Sequence, residues 1–412
     1  MKLLFVANYP NQPSGYARIA HKLSEFFASF PDTTVYYFGF NNFQESCLWD
    51  IVPNPKIQYI DVIEEEKKIQ STEIFGRDII LSFMEKIQPD VLFLYNDIVV
   101  ICNLFNSLLA YKQTHNYKTI TYLDLVYEYE KPEFICHVDR NSDFVFVFSE
   151  CWKRHLIQVG ISSDKLAALY HGLNETTFYP SNTIEARKSF GISDDDFVIL
   201  NTNNNSYRKA HDISIRAFLQ FLKINDNSPH IKLFINCVLN TKPGYDIMTL
   251  IEVECMRLNM SFHTIVTTNI IISKNIGKMS DSDLNMLYNA CDIGINTAVG
   301  EGFGLCNLEH ASVGKPQIVT ATGALVDIFT SEQSMLVKPI ATLYVPNHMD
   351  CHGGIMDICR SEDFADAMNN YYHNTTKRLS DGKNIATHIR GLYSWENILT
   401  QFKIQFDNVI LC

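Results

Sequence analysis

The amino-acid sequence predicts an α/β protein of two domains, each built on a parallel β-sheet. Short apolar runs alternate along the 412 residues with segments whose apolar side chains recur at helical spacing. This alternation is typical of parallel sheets covered by helices on both faces. Residues 180–196 are polar and carry few apolar side chains, which indicates a linker. A chain of 412 residues is long enough for about two to three domains.

The first half of the chain begins with an apolar strand at residues 1–8, followed by a turn that contains Gly15 and by a helix. Ligands of open parallel sheets bind beyond the carboxyl ends of the strands. Asp97 and Asp124 follow two predicted strands and are therefore candidate binding residues, and Tyr127 comes shortly after Asp124. The further strands of this half are predicted at 34–38, 56–60, 91–95, 119–123 and 144–148.

The second half opens with a strand at 197–200 and a polar loop that ends in Arg208 and Lys209. Two adjacent cations at the mouth of a strand–loop–helix unit suit a diphosphate, because the planar guanidinium can bridge two oxygens and the ammonium adds a point charge. The further strands are predicted at 231–236, 270–273, 292–296, 317–320 and 334–338.

A glycine-rich loop follows the strand at 292–296 and leads into a helix that starts at Leu305. Gly302 and Gly304 flank Phe303, so backbone amides can approach a ligand with no side chain in the way. The loop ends at a helix N-terminus, where N–H groups and the helix dipole favour a phosphate.

Two carboxylates, Glu301 and Glu309, bracket this loop with seven residues between them. Carboxylates are poor ligands for phosphate but good acceptors for the hydroxyl groups of a sugar. Phosphate donors between two hydroxyl acceptors predict a site for a nucleotide sugar. An ordinary strand–turn–helix with two exposed acids is the alternative.

The composition excludes some classes of function. A formal charge of −12 argues against nucleic acid as a partner and disfavours docking on an anionic membrane, so membrane contact is expected to be peripheral at most. The 11 cysteines include no CxxC pair, which is typical of free thiols in a reducing compartment. The N-terminus does not fit a signal peptide, and no apolar run reaches the roughly 20 residues that span a bilayer. We therefore expect a cytoplasmic protein.

Several segments resemble the retaining GT-B glycosyltransferases of family 4. The stretch from Glu301 to Glu309 is similar to the family signature of two glutamates, residues 170–180 to the element that ends its first domain, and residues 393–396 to the start of its terminal helix. The resemblance implies a GT-B fold, in which two Rossmann-like domains with parallel sheets face each other across a cleft. The implied domains are residues 1–175 and 176–393, with a terminal helix at 394–412 that packs back on the first domain.

The resemblance also implies roles for the candidate residues of the second half. In the family, the first glutamate holds hydroxyls of the donor sugar and the second holds the ribose, so these roles fall to Glu301 and Glu309. Arg208 and Lys209 resemble the pair that neutralises the donor pyrophosphate. The implied catalytic residues are therefore Arg208, Lys209 and Glu301. The amides near Gly302, Phe303, Gly304 and Leu305 would bind the diphosphate.

The remaining candidate residues match the family less closely. Gly15 matches a glycine loop that faces the donor phosphates in the family, although this chain has Ser14-Gly15 where two adjacent glycines are usual. Asp124 stands near the place where many relatives carry a histidine beside the donor sugar, so no catalytic histidine is transferred. Asp97, Asp124 and Tyr127 are assigned to the acceptor side, with a turn or capping role as the alternative. The nucleobase is expected beside Lys274, Asn275 and Ile276.

The function implied by the resemblance is transfer of a hexose from a nucleotide-diphosphate sugar to a hydroxyl group, with retention at the anomeric carbon. GDP-mannose is the favoured donor, followed by UDP-glucose or UDP-GlcNAc. A GT-B nucleotide-sugar epimerase and an inactive nucleotide-binding protein are the alternatives. The acceptor, whether glycan, lipid or protein, is left open, and no cofactor is expected.

The loop predicted at 346–360 looks like an insertion. It contains His348, Cys351, His352 and Cys359, but their spacing fits no zinc finger, and no metal site is predicted. In overall style the chain is similar to glycosyltransferases encoded by large DNA viruses of algae. If it is encoded by such a virus, its expected location is the cytoplasm of the host cell.

Overall fold

The structure is a computed structural model that describes residues 1–43, 54–273 and 279–411. The chain divides into two compact units. Unit 1 comprises residues 1–171, 351–354 and 399–412, and unit 2 comprises residues 172–350 and 355–398. Each unit is a Rossmann-like α/β domain with a parallel sheet, which confirms the predicted fold class.

The elements of unit 1 alternate between strand and helix along most of its length. In chain order they are β1 (Lys2–Asn8), α1 (Gly15–Ala28), β2 (Thr34–Phe40), β3 (Ile57–Asp61), α2 (Val62–Lys68), α3 (Ile80–Ile87), β4 (Val91–Asp97), α4 (Ile98–Thr114), β5 (Lys118–Asp124), α5 (Pro132–Asn141), β6 (Phe144–Val147), α6 (Glu150–Gln158) and β7 (Leu166–Ala168).

Unit 2 repeats the alternation and ends in three helices, the last of which continues into residues of unit 1. Its elements are α7 (Thr183–Phe190), β8 (Phe197–Asn201), α8 (His211–Ile224), β9 (Ile231–Ile235), α9 (Ile247–Leu258), α10 (Phe262–Thr268), β10 (Ile270–Ile272), α11 (Asp281–Ala290), β11 (Ile293–Asn296), α12 (Leu305–Ser312), β12 (Gln317–Thr320), α13 (Leu325–Ile328), β13 (Met335–Val337), β14 (Ala341–Tyr344), β15 (Ile355–Ile358), α14 (Ser361–His373), α15 (Thr375–Leu392) and α16 (Trp395–Leu411).

The two parallel sheets share one strand order. Unit 1 has the order β3-β2-β1-β4-β5-β6-β7, and unit 2 has the order β10-β9-β8-β11-β12-β13. In both sheets the direction of winding reverses at the centre, between β1 and β4 in one and between β8 and β11 in the other. Ligands of such sheets bind at the carboxyl ends of the strands beside this reversal. The strand order therefore marks one candidate edge in each unit.

An aromatic cluster forms the core of unit 1 on one side of its sheet. Phe27 of α1 lies 5.1 Å from the Phe93 ring of β4, centroid to centroid. Phe402 and Phe406, one turn apart on α16, lie 5.7 Å and 5.2 Å from the Phe27 ring. Both side chains are at most 1% exposed. Spacing by four residues puts them on the same helix face, which explains why this end of the helix packs there.

The predicted insertion is not entirely a loop. Residues 355–358 form β15, which pairs antiparallel with β14, with Ala341 opposite Ile358. The prediction of a loop over 346–360 was wrong for these residues, because the short apolar run at 355–358 was assigned to the surrounding polar segment. Among the described residues, no helix combines the length and the apolar character needed to cross a bilayer.

Candidate active site

The candidate site of unit 2 is built from the loops that follow β8 and β11, the two strands at which the winding reverses. Hydrogen bonds join these loops. The Val299 amide donates to the Arg208 carbonyl at 2.8 Å. The Thr297 hydroxyl donates to the carbonyls of Lys209 and Ala210 at 3.1 and 3.0 Å. The two cations of one loop are thereby fixed beside the acid of the other.

Arg208, Lys209 and Glu301 form a buried group of charges. The Lys209 ammonium contacts Oε2 of Glu301 in a short ion pair. The Arg208 guanidinium lies 3.4 Å from Oε1 of Glu301 and donates to the Gly300 carbonyl at 3.0 Å. Lys209 is 7% exposed and Glu301 is 4% exposed, whereas the Arg208 side chain is 28% exposed. The group carries two positive charges and one negative charge, and Arg208 is its most accessible member.

The carboxyl of Glu301 is ionised throughout the physiological range. Burial alone would raise its pKa, but the charges of Lys209 and Arg208 and the hydrogen bonds from Lys209 and Asn296 outweigh burial and lower the pKa to about 2. An ionised carboxylate accepts strong hydrogen bonds from hydroxyl groups.

A chain of three buried side-chain amides also holds Glu301 in place. Asn296, at the end of β11, donates through Nδ2 to Oε2 of Glu301 at 3.1 Å and to Oδ1 of Asn307 at 2.9 Å. Asn307 in turn donates to Oε1 of Gln317 at 2.9 Å. The three amide residues are at most 4% exposed. The sequence analysis missed all three, since one buried amide leaves no mark on an apolar strand pattern.

The glycine turn opens α12 as predicted from its residue types. Gly304 has φ +91° and is the N-cap of the helix, so no side chain caps the first turn. A Cβ at this position would lie 2.6 Å from Cδ2 of Leu325. The Phe303 ring is buried, at 4% exposure. Only the backbone of this residue could therefore contact a ligand.

Glu309 lies on α12, one turn beyond the glycine loop, and is 8% exposed. The Tyr288 hydroxyl of α11 donates to its Oε2 at 2.9 Å. The Tyr288 ring stacks on His310, with centroids 5.1 Å apart. Burial lowers the pKa of His310 to about 3, so this imidazole is neutral. Tyr288 thus orients the carboxylate, and it is a fourth residue of the site that was not predicted from the sequence.

The candidates in unit 1 lie at the carboxyl edge of its sheet. Gly15 is the first residue of α1 and is exposed. The Asp97 side chain caps α4 by accepting from the Val100 amide at 3.0 Å. Asp124 accepts the Tyr16 hydroxyl at 2.5 Å.

The Tyr127 ring does not lie on an open surface, because it is 2% exposed. Its neighbour Glu130, which the sequence analysis did not select, is also buried and accepts the Val126 amide at 3.1 Å. Burial is the main cause that raises the pKa of Glu130 to about 8, despite the opposing effect of His352. Within unit 1, Nε2 of His352 lies 3.5 Å from Oδ1 of Asp97.

One prediction falls wholly outside what can be described. Lys274, Asn275 and Ile276, assigned to the nucleobase, lie outside the described residues.

Of the residues considered for zinc, Cys351 and His352 lie next to Asp350 in the chain. The ligand atoms of these three consecutive residues lie within 4.8 Å of one another. A tripeptide of this kind could hold a cation only weakly, because Cys351 is exposed and the three ligands are adjacent in the chain.

Known families match part of the chain. The model of the family described as "Glycosyl transferases group 1" matches residues 273–384, which include the glycine turn and both glutamates. The uncharacterized glycosyltransferase MJ1607 of Methanocaldococcus jannaschii is 27% identical over 173 residues. That match covers 41% of this chain and 40% of the archaeal protein.

Solved structures match the whole fold. The sucrose-phosphate synthase of Thermosynechococcus elongatus superimposes with a TM-score of 0.74 and 15% identity, over 100% of this chain and 99% of the other. Anabaena Alr3699/HepE, in complex with UDP-glucose, gives a TM-score of 0.69 and 15% identity, over 99% of this chain and 100% of the other. At this identity the likeness establishes the fold, which is GT-B. Residues 273–384 therefore match a glycosyltransferase group 1 domain within a chain of GT-B fold, and the enzyme class that this match supports is a transferase.

Proposed function

We propose that the protein transfers a hexose from a nucleotide-diphosphate sugar to a hydroxyl group with retention at the anomeric carbon, as a member of family 4 would. The observation that carries the proposal is the contact of Arg208 and Lys209 with Glu301 at the carboxyl ends of β8 and β11. A diphosphate needs positive charge, and a sugar needs hydrogen-bond acceptors. This group supplies both within one cluster of side chains.

The chemistry follows from where charge develops. As the bond between the anomeric carbon and the diphosphate oxygen breaks, negative charge grows on the leaving group. The cluster keeps a net positive charge after Glu301 is counted, and the accessible Arg208 guanidinium can meet two phosphate oxygens at once. Amides of Gly302, Phe303, Gly304 and Leu305, at the start of α12, add fixed dipoles. Preorganised charge of this kind stabilises the transition state without rearrangement.

Glu301 and Glu309 would bind the two hydroxyl-bearing parts of the donor. Glu301 is held ionised by its cations and can accept hydrogen bonds from hydroxyls of the hexose. Glu309 can accept from the ribose, with Tyr288 fixing the orientation of its carboxylate. Lys274, Asn275 and Ile276 are proposed to contact the base.

The acceptor-side assignment rests on the carboxyl edge of the unit 1 sheet. Asp97 and Asp124 end β4 and β5 and face each other in register, so two carboxylates come to one edge. Gly15 lies at the start of α1 and is proposed to approach the donor phosphates through its backbone. Tyr127 would act by packing under this edge, because its ring is buried.

GDP-mannose is the proposed donor, on the resemblance of the sequence to family 4. UDP-glucose is the second candidate, because Alr3699/HepE, whose fold matches, has been solved in complex with it. The protein is proposed to work in the cytoplasm, without a cofactor or metal. Assignment to a virus of algae is an inference from sequence style alone.

A panel of nucleotide sugars tests the proposal, with mass spectrometry to detect turnover and NMR to identify the configuration of the product sugar. The panel contains GDP-mannose, UDP-glucose and UDP-GlcNAc, and we expect slow hydrolysis of one donor, or transfer to an added acceptor, with the α-anomeric configuration kept. Isomerisation of UDP-GlcNAc would instead identify an epimerase, and nucleotide binding with no turnover of any donor would identify an inactive protein. Either result overturns the proposal.

Arg208→Ala supplies the mechanistic part of the test. We expect this variant to lower kcat far more than it raises the KM for the donor, because the guanidinium acts mainly on charge that develops in the transition state. Arg257→Ala is the matched control, since the Arg257 side chain is 57% exposed and pairs with Glu254 on its own helix. Equal losses in kcat and in donor affinity would mean that Arg208 only binds.

A further inference from the structure

Unit 2 contains a second cavity that the proposed donor site does not use. Its volume is about 480 Å³, and it lies between residues 176–186 and the first turns of α11. Binding sites for small molecules have volumes of about 300–1,000 Å³. The cavity is therefore large enough to hold a ligand.

The cavity and the carboxylate of Glu309 lie at different levels along α11. The cavity is lined by residues of the first turns of the helix, whereas Tyr288, which reaches Glu309 on α12, lies in its last turn. Asn285 and Asn289 contact the backbone of the segment that walls the cavity, at Tyr179 and Ser181. Glu309 does not line the cavity, so a ligand bound there would leave this carboxylate to the donor.

The wall of the cavity is held in place before any ligand arrives. The Tyr179 amide donates to Oδ1 of Asn285 at 3.1 Å, and the Ser181 amide donates to Oδ1 of Asn289 at 2.7 Å. Nδ2 of Asn289 returns a hydrogen bond to the Tyr179 carbonyl at 3.0 Å. Both asparagines are at most 5% exposed. A preformed wall spares a ligand the cost of ordering it.

The side chains that line the cavity suit a neutral, hydroxyl-rich ligand. The hydroxyls of Thr177 and Ser181 can donate and accept, the Thr176 hydroxyl, which donates to Asn174, can accept, and the carboxylates of Glu185 and Asp281 accept strongly. Among the lining residues that the structure describes there is no lysine, arginine or histidine. A phosphate or another anion would therefore meet two negative charges and no positive one.

An exposed aromatic ring completes this set of groups. Tyr179 lines the cavity and is 47% exposed, although it is anchored through its backbone. The face of an aromatic ring is electronegative and attracts the weakly positive C–H bonds on one face of a pyranose. A flat ring beside hydroxyl and carboxylate groups matches the two kinds of surface that a saccharide presents.

We propose that this cavity, formed by residues 176–186 and the start of α11, binds a neutral oligosaccharide. The site is separate from the donor site and would retain a glycan that serves as acceptor or leaves as product. That use of the glycan rests on the proposed function, whereas the binding itself does not require turnover.

The test is a titration of the full-length protein with mannotriose, maltotriose and chitotriose, followed by saturation-transfer NMR. All titrations contain excess UDP and GDP, so that binding at the donor site is suppressed. We expect millimolar binding of at least one trisaccharide and a loss of about tenfold in affinity for Tyr179→Ala, equivalent to about 1.4 kcal/mol. Tyr344→Ala is the control, because Tyr344 is 58% exposed and lies outside the cavity lining.

Three results would overturn the proposal: no trisaccharide binds the wild-type protein, Tyr179→Ala binds as tightly as Tyr344→Ala does, or spermidine binds the cavity more tightly than any saccharide. The last result would identify a cation site made by Glu185 and Asp281. None of these results depends on donor turnover, so failure of this proposal is distinguishable from failure of the proposed transferase activity.

Discussion

Replacing Glu301 with glutamine is expected to destabilise the protein strongly, although the two side chains have nearly the same shape. Lys209 is 7% exposed, and burial already lowers the pKa of its ammonium, so without the carboxylate the side chain must either remain an unpaired buried charge or give up its proton, and both reduce stability. Removing one partner of a buried ion pair typically costs about 3–5 kcal/mol, because the remaining charge is left without compensation. The pKa gives a similar figure. A fall from 4.5 to about 2 corresponds to about 3 kcal/mol in favour of the ionised form.

The assay is equilibrium unfolding in urea for four proteins: the wild type, Glu301→Gln, Lys209→Met and the double variant. We expect each single variant to lose about 3 kcal/mol or more, and the double variant to lose much less than the sum, because the methionine removes the charge that the glutamine leaves unpaired. Glu254→Gln is the matched control for loss of a buried carboxylate, because Glu254 is buried and pairs with Arg216 elsewhere in unit 2.

The pH dependence has a definite sign. The pKa of Glu301 is lower in the folded protein than in the unfolded chain, so its contribution to stability is complete above pH 4.5 and is lost as the pH falls from there through about 2. Glu301→Gln should therefore lose less stability relative to the wild type at pH 3 than at pH 7. Additive losses in the double variant, or a deficit that does not change with pH, would refute the charge pairing on which the site is built.

Two further pairs of variants test the surroundings of Glu301. Glu309→Ala should weaken the binding of free nucleotide, measured by calorimetry, by about 1–3 kcal/mol, because a buried acceptor for a ribose hydroxyl is lost. Tyr288→Phe should weaken nucleotide binding less. An unchanged affinity of Glu309→Ala for nucleotide would remove Glu309 from the site. Gly304→Ala should lower the urea midpoint more than Gly314→Ala does. Both glycines have φ near +90°, but only a Cβ at Gly304 would crowd Leu325, at 2.6 Å. Equal midpoints would show that the Leu325 side chain yields without cost.

The strands and the strand-end charges were predictable because their signals are local. The apolar runs at 91–95 and 317–320 are long enough to define β4 and β12, and the structure extends the first of them by two residues. Arg208, Lys209 and Glu301 were selected from residue type and position after a strand. Each of these inferences needs only a short window of sequence.

What could not be predicted depends on residues far apart in the chain. Lys209 was predicted as a cation for the diphosphate from its position after a strand, but its burial arises from contact with Glu301, 92 positions later. Asn296 and Asn307 look like ordinary polar residues until β11 and α12 are packed together. The strand β7 is too short, at three residues, to leave a periodic pattern. Tertiary packing decided each of these features.

The row of side-chain amides beside Glu301 also limits which chemical modifications and substitutions this protein can tolerate. Asn296 donates to both Glu301 and Asn307, Asn307 donates to Gln317, and Gln317 donates to the Lys315 carbonyl, so beyond Asn296 the donors all point away from Glu301. Deamidation of Asn307 would replace a donor by an anion of equal size and would set two carboxylates on opposite sides of one asparagine. The polarity of the whole row, rather than the size of any member, is therefore what selection on this region has to preserve.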